Sequence, residues 1–119
     1  MTEKLTQIGP VEIRCNAERN RLNIRFDNGE HVEISAELLR VESPSAEVQG
    51  HGPSQKKTPR DKEDVTITKI TTVGSYAVRL TFSDGHNTGI YSWDLLYDYG
   101  QRKEQLIADY KRRLEVLDR

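Results

Sequence analysis

Two stretches of this chain follow one plan. IRFDNGEHVEISAELL and LTFSDGHNTGIYSWDLL each run as strand, phenylalanine, glycine-ended turn, short strand, serine and leucine pair. Phe26 matches Phe82 and Gly29 matches Gly85; after one inserted residue, Ser35 matches Ser92 and Leu38-Leu39 matches Leu95-Leu96. Each step has a physical reason. Alternating apolar residues bury one face of a strand. Glycine reaches the backbone region that a tight hairpin turn needs. A serine hydroxyl accepts one of the backbone N–H groups left open at a helix start. The expected fold is α+β: mainly antiparallel β, built from two β-hairpin-plus-short-helix units packed together, with a C-terminal helix.

The rest of the chain fits around these units. VEIRCNAERNRLNIRF alternates on both sides of a polar NAERN turn, which reads as a hairpin with Val11, Ile13 and Cys15 on one strand and Leu22, Ile24 and Phe26 on the other. Cys15 there reads as a small buried hydrophobe. VTITKITTVGSYAVRLTF makes a second hairpin around Gly74-Ser75. Ser92 is expected to cap a helix starting WDLLYDY, and Gly100 to end it as the residue just past the last turn. In QRKEQLIADYKRRLEVLDR, the residues Leu106, Ile107, Tyr110, Leu114 and Leu117 form an apolar stripe at helical spacing. The chain therefore divides into a domain over 1–100 and an amphipathic helix over 101–119. Between the units, ESPSAEVQGHGPSQKKTPRDKED is broken by Pro44, Gly50, Gly52, Pro53 and Pro59, and reads as a long loop, mobile from about 49 to 64.

Composition narrows the function. The 119 residues are 34% hydrophobic and 31% charged, with a net charge of −1. This is the size of one domain, and the near-balance of charge gives no general pull toward nucleic acid or an anionic membrane. The lone Cys15 excludes an intrachain disulfide, and no stretch has the length of a signal peptide or membrane span. A cytoplasmic location is expected.

Several chemical motifs fail on inspection. His31-Val-Glu33 has the spacing of an iron facial triad, with His86 as a distal ligand, but too few strands exist for the barrel such an oxygenase needs. GHGPSQKKT lacks the Gly-Lys-Ser/Thr ending of a phosphate loop. No aromatic stacking platform accompanies the basic residues, so nucleic acid is not an expected partner. No serine is visibly paired with a histidine and an acid, and Asp84 beside His86 reads as a solvent-facing turn rather than a proton-transfer pair.

LLRVESPSAEV together with FSDGHNTGIYSWDLL resembles the γ-butyrobetaine hydroxylase-like N-terminal domain family, over most of residues 5 to 100. That family comprises small stand-alone bacterial proteins and a domain preceding the carnitine-synthesis dioxygenases; a related domain is joined to a plastid P-loop ATPase that carries iron–sulfur clusters. In the dioxygenase branch, a Cys-Pro-Cys-x-x-Cys stretch and a later histidine form a structural zinc site. The resemblance puts those cysteines on Ser43, Ser45 and Val48, and the histidine on His86. All three thiolates are therefore lost, and serine hydroxyls are poor zinc ligands. The resemblance also implies that the Ser43–Val48 loop lies near His86, where the Ser43 and Ser45 hydroxyls are expected to hydrogen-bond around the imidazole and hold the loop without metal; the alternative is His86, His51 and Glu47 as a replacement ligand set for zinc or iron.

The resulting expectation is a non-enzymatic binding or adaptor domain with no cofactor and an unidentified protein partner. Its contact surface would comprise Ser43, Ser45, His51, Asp84, His86, Tyr91 and Trp93. The alternative is a metal-binding accessory protein linked to iron–sulfur assembly. A homodimer through the C-terminal helix is left open.

Overall fold

The computed structural model describes residues 9–50 and 56–117. The chain forms β1 (Pro10–Cys15), β2 (Arg21–Phe26), β3 (His31–Ser35), α1 (Ala36–Val41), α2 (Ala46–Gln49), β4 (Ile67–Val73), β5 (Ala77–Phe82), β6 (Ile90–Ser92) and α3 (Trp93–Leu117). Among the described residues the strands make two three-stranded antiparallel sheets, in the orders β1-β2-β3 and β4-β5-β6. The fold is α+β.

The two units agree bond by bond. The Gly29 N–H donates to Phe26 C=O and the Gly85 N–H to Phe82 C=O, at 3.0 and 2.9 Å. Both glycines have positive φ, +88° and +93°, where a side chain would be strained. Asn28 Oδ1 accepts from the Glu30 amide as Asp84 Oδ1 accepts from the His86 amide. Asp27 N–H to Gly9 C=O repeats as Ser83 N–H to Thr66 C=O. The first strand of each unit carries a register shift at the same place, between Pro10 and Glu12 and between Ile67 and Lys69. Ser35 Oγ caps α1 at Leu38 N, and Ser92 Oγ caps α3 at Leu95 N, both at 3.1 Å.

The units part at one point. β3 pairs with β2 from Ser35 back to His31, whereas β6 leaves β5 at Ile90. The inserted residue falls in Asn87–Gly89, which leaves the ladder between the turn and the strand. His86 occupies the place that Glu30 holds in the first unit.

One apolar cluster joins both sheets and the helices, with Leu22, Ile24, Phe26 and Ile34 from the first unit and Ile67, Val78, Leu80, Phe82 and Tyr91 from the second. Such burial, at roughly 25 cal/mol per Å² of apolar surface, is what holds the units together. Arg19 strengthens the join: its C=O accepts from Ile67 N–H at 2.8 Å and its Nε donates to Ile67 C=O at 2.5 Å.

Three expectations need correction. Gly100 does not end a helix: α3 runs through it and bends instead at Arg102, the non-helical residue inside it. A Cβ on Gly100 would come within 2.6 Å of Val32 Cβ, so this glycine lets α3 lie close against β3. Past that bend the helix packs through its apolar stripe. Lys103 Nζ donates to Glu33 C=O at 2.7 Å, Tyr110 OH donates to Pro59 C=O at 2.5 Å, and Leu106, Ile107 and Leu114 pack on the core. Leu117 leaves the stripe and is 55% exposed. Finally, the segment after Glu42 is not featureless. Ser45 caps the short α2, and the described residues 56–64 are tied down through Lys57 N–H to Val48 C=O at 2.7 Å and Lys62 to Asp84 at 2.7 Å.

Candidate functional site

The point where the units differ is where the interunit segment docks. Ser43, Ser45 and α2 lie against the turn that carries His86. Ser43 Oγ stands 2.9 Å from His86 Nε2, and His86 Nδ1 stands 3.2 Å from Glu47 Oε1. Ser43 Oγ also accepts from Ser45 N–H at 3.2 Å, and Ser45 Oγ lies 2.7 Å from Thr88 Oγ1. Gly89 allows this approach, since a Cβ there would fall 2.5 Å from Ser43 Oγ. Gln49 Nε2 closes the segment by donating to Ser43 C=O at 2.8 Å.

With the Glu47 carboxylate as acceptor, the imidazole of a neutral His86 donates from Nδ1, and Nε2 accepts from the Ser43 hydroxyl. Burial first, then the nearby Arg40 charge, lowers the His86 pKa; Glu47 and Asp84 oppose them without reversing the direction. The neutral ring is the form the site favours.

Asp84 sits on the same turn but does not touch the imidazole. Its Oδ1 holds the His86 amide, while Oδ2 accepts from Arg40 Nε at 2.8 Å and pairs with Lys62 Nζ. Partial burial works to raise the Asp84 pKa. The Lys62 hydrogen bond, the His86 amide and Arg40 outweigh it and bring the value to about 2.

The order Glu47, His86, Ser43 is that of an acid–histidine–serine triad, a pairing not visible in the sequence. Ser43 is 0% exposed, and its hydroxyl is enclosed by Ser45 and Gly89. A nucleophile must reach its substrate, and here only Glu47, 64% exposed, and the His86 ring border an open cleft. His86 is 8% exposed, and its ring meets the Ser43 hydroxyl of the loop it is expected to hold.

A metal reading meets its own obstacle. Val48 is buried and has no donor atom, and the Ser43 and Ser45 hydroxyls are already engaged. One imidazole and two neutral hydroxyls do not make a zinc site. His86 and Glu47 are adjacent, while His51 lies outside the described residues. Among the described residues, no three of His, Cys, Asp or Glu are grouped to hold a metal ion. His31 is remote from this cluster, with Nε2 on Asn23 Oδ1 at 3.1 Å.

The expected contact surface is only partly a surface. Tyr91 is fully buried, with its OH donating to Leu39 C=O at 2.5 Å. Tyr91, Ser43, Ser45 and His86 are therefore internal anchors, whereas Trp93 is half-buried and donates through Nε1 to Ser75 C=O at 2.9 Å. Tyr76, in the turn before β5, and Ile90, on β6, are exposed, and β6 is one of the two edge strands of the second sheet. The sequence reading missed Glu42, buried between Lys56 Nζ at 2.7 Å and Arg113 Nη2 at 2.8 Å. It also missed Arg40, Lys62 and Thr88. The inserted residue that separates the two units was the available signal for this region.

Residues 13–97 match the model of a family described as gamma-butyrobetaine hydroxylase-like, N-terminal. Among solved structures, one protein determined in solution by NMR is 42% identical, covering 100% of this chain and 89% of its own, with a TM-score of 0.82. A second NMR structure is 38% identical, over 93% of this chain and 87% of its own, at a TM-score of 0.78. A crystal structure from Acidithiobacillus ferrooxidans, of a protein with unknown function in the DUF971 family, is 37% identical. It covers 73% of this chain and 86% of its own, with a TM-score of 0.61. No curated protein matches the chain. No helix among the described residues is long and apolar enough to cross a membrane.

Proposed function

The chain belongs to the gamma-butyrobetaine hydroxylase-like N-terminal family, and from that membership we propose that it works as a non-enzymatic adaptor, binding a protein partner in the cytoplasm. The observation that carries this reading is the sealed Ser43–His86 pair. The only acid–histidine–serine alignment among the described residues spends its serine on holding a loop. The surrounding hydrogen bonds make a rigid scaffold, which suits presentation of a surface.

The contact face of this adaptor is the β6 end of the second sheet, where Tyr76, Ile90 and Trp93 offer aromatic and aliphatic area and β6, paired with β5 on one side, leaves its other edge open. A free, half-buried Cys15 accords with a reducing compartment. The metal-handling alternative has weaker support, because the family's three cysteine positions carry two hydroxyls and a buried valine, which leaves Glu47 as the ligand beside His86 among the described residues.

The test is affinity capture from cell extract with quantitative mass spectrometry, comparing the wild type with Tyr76→Glu and Ile90→Glu. Val11→Glu, on the exposed edge of the other sheet, serves as control. The reading expects a partner lost with both β6-edge variants and kept by the control. Identical captures from all four proteins would remove the β6 edge as a contact face.

A further inference from the structure

Because the two units match, the outward faces of their sheets can be compared position by position. In the first sheet, Glu12 of β1 pairs with Arg14 at 2.5 Å and with Arg25 of β2 at 3.4 Å, and Glu33 of β3 pairs with Arg21 at 3.8 Å. Each arginine of that sheet is thus matched by a carboxylate of the sheet itself.

The second sheet has lost both acids. Glu12 follows the register shift of β1, and the same place in β4 is Lys69. Glu33 stands opposite Asn23 of β2, and the same place in β6, opposite Arg79, is Ile90. No carboxylate stands anywhere on β4, β5 or β6. Lys69 and Arg79 are exposed and make no ion pair among the described residues. Arg79 pairs with Thr71, two residues along β4 from Lys69, so the two cations share a face as diagonal neighbours, within reach of each other's long side chains. They repel, and nothing in the sheet bridges them as Glu12 bridges Arg14 and Arg25. Beside them Ile90 is 42% exposed, and Tyr76, in the turn between β4 and β5, is 59% exposed.

We propose that the outward face of the second sheet seats an acidic segment of a partner protein, with an Asp or Glu side chain between Lys69 and Arg79 and an apolar side chain against Ile90 and Tyr76. This names the partner chemistry of the adaptor reading and rests on it. The partner's carboxylate does for Lys69 and Arg79 what Glu12 does within the first sheet. Exposed ion pairs add little to stability, but across an interface they select the partner and its register. Nucleic acid fits less well, because binding through a phosphate backbone draws on a longer run of cations than these two.

The experiment selects random peptides displayed on phage against the full chain, then titrates the enriched peptides by fluorescence anisotropy. Peptides with Asp or Glu beside an apolar residue are the expected result. Their affinity is expected to fall at least about tenfold in the double variant Lys69→Glu, Arg79→Glu, where like charges meet. Lys57→Glu, an exposed cation off this sheet, is expected to leave binding unchanged. Selection without acidic enrichment, or binding that survives the double variant in a folded protein, would overturn the proposal. So would an oligothymidine bound more tightly than any peptide and lost in the same variant, which would make the face a nucleic-acid surface. The double variant also separates this inference from the reading beneath it. In affinity capture, a partner lost with Ile90→Glu but kept by the double variant leaves the adaptor standing and overturns the acidic segment. A partner kept by both removes the face from the adaptor reading as well.

Discussion

Ser43 Oγ and His86 Nε2 lie 2.9 Å apart across a sequence separation of 43 residues, and both side chains are buried. Gly89 passes so close behind the serine that its missing side chain is a condition of the contact. This joins the loop after α1 to the turn that distinguishes the second unit from the first.

Gly89→Ala tests that packing. The new methyl would meet Ser43 Oγ at 2.5 Å, and overpacking of this kind costs about 1–3 kcal/mol. The loss is expected to shrink in a Ser43→Ala background, because the clashing oxygen is gone. A double-mutant cycle by urea unfolding reads the coupling. Additive effects would show that Gly89 and Ser43 act independently.

Acid sensitivity follows from His86. Its native pKa is lowered, by burial first and Arg40 second, from an ordinary value of about 6.5. The unfolded chain therefore binds the proton more readily, and stability rises with pH across the interval between the two values. The contribution is complete above about 6.5 and is lost as pH falls toward the lowered native value. Asp84 acts in a lower window: its native value is about 2, so its contribution is present above about 3.9 and lost as the pH falls through the native value. Urea midpoints are expected to drop between about pH 7.5 and pH 5.5, and less so in His86→Gln. An equal drop in both proteins would place the sensitivity elsewhere.

Glu42 is 4% exposed and held by Lys56 and Arg113. Arg113→Ala leaves that carboxylate with one partner, Lys56, whose side chain is 26% exposed, and is expected to cost about 1–3 kcal/mol. Because Tyr110 of the same helix holds Pro59, hydrogen exchange at residues 56–60 should speed up with the loss. Unchanged exchange there would mean that the loop is held without α3.

Metal content tests the ligand chemistry. Wild-type protein, tag-free and prepared without chelator, is expected to lack stoichiometric zinc or iron by elemental mass spectrometry. The triple variant Ser43→Cys, Ser45→Cys, Val48→Cys supplies three thiolates near His86 and is expected to take up one zinc ion. Stoichiometric metal in the wild type, lost in His86→Ala, would instead favour the metal-handling function.

The parts legible in the sequence are those that neighbouring residues decide. Phe26-Asp27-Asn28-Gly29 and Phe82-Ser83-Asp84-Gly85 close their own turns, and Ser35 and Ser92 cap the helices that follow them. Backbone hydrogen bonding and side-chain alternation act over a few residues, so the α+β class and the paired units could be read directly. The family resemblance, carried by Ser-Pro-Ser and Asp-Gly-His, brought the loop near His86.

Other features have no local code. Gly100 carries the same letter whether it ends a helix or lets one pass Val32, and only the docking of α3 on β3 chooses between them. Ser43, His86 and Glu47 align, Glu42 gathers Lys56 and Arg113, and Tyr91 turns inward because burial of a shared apolar cluster fixes how the two units meet. That burial is non-directional and sums over the whole interface. The sequence by itself determined the pieces and their turns; the tertiary structure decided which distant side chains became neighbours.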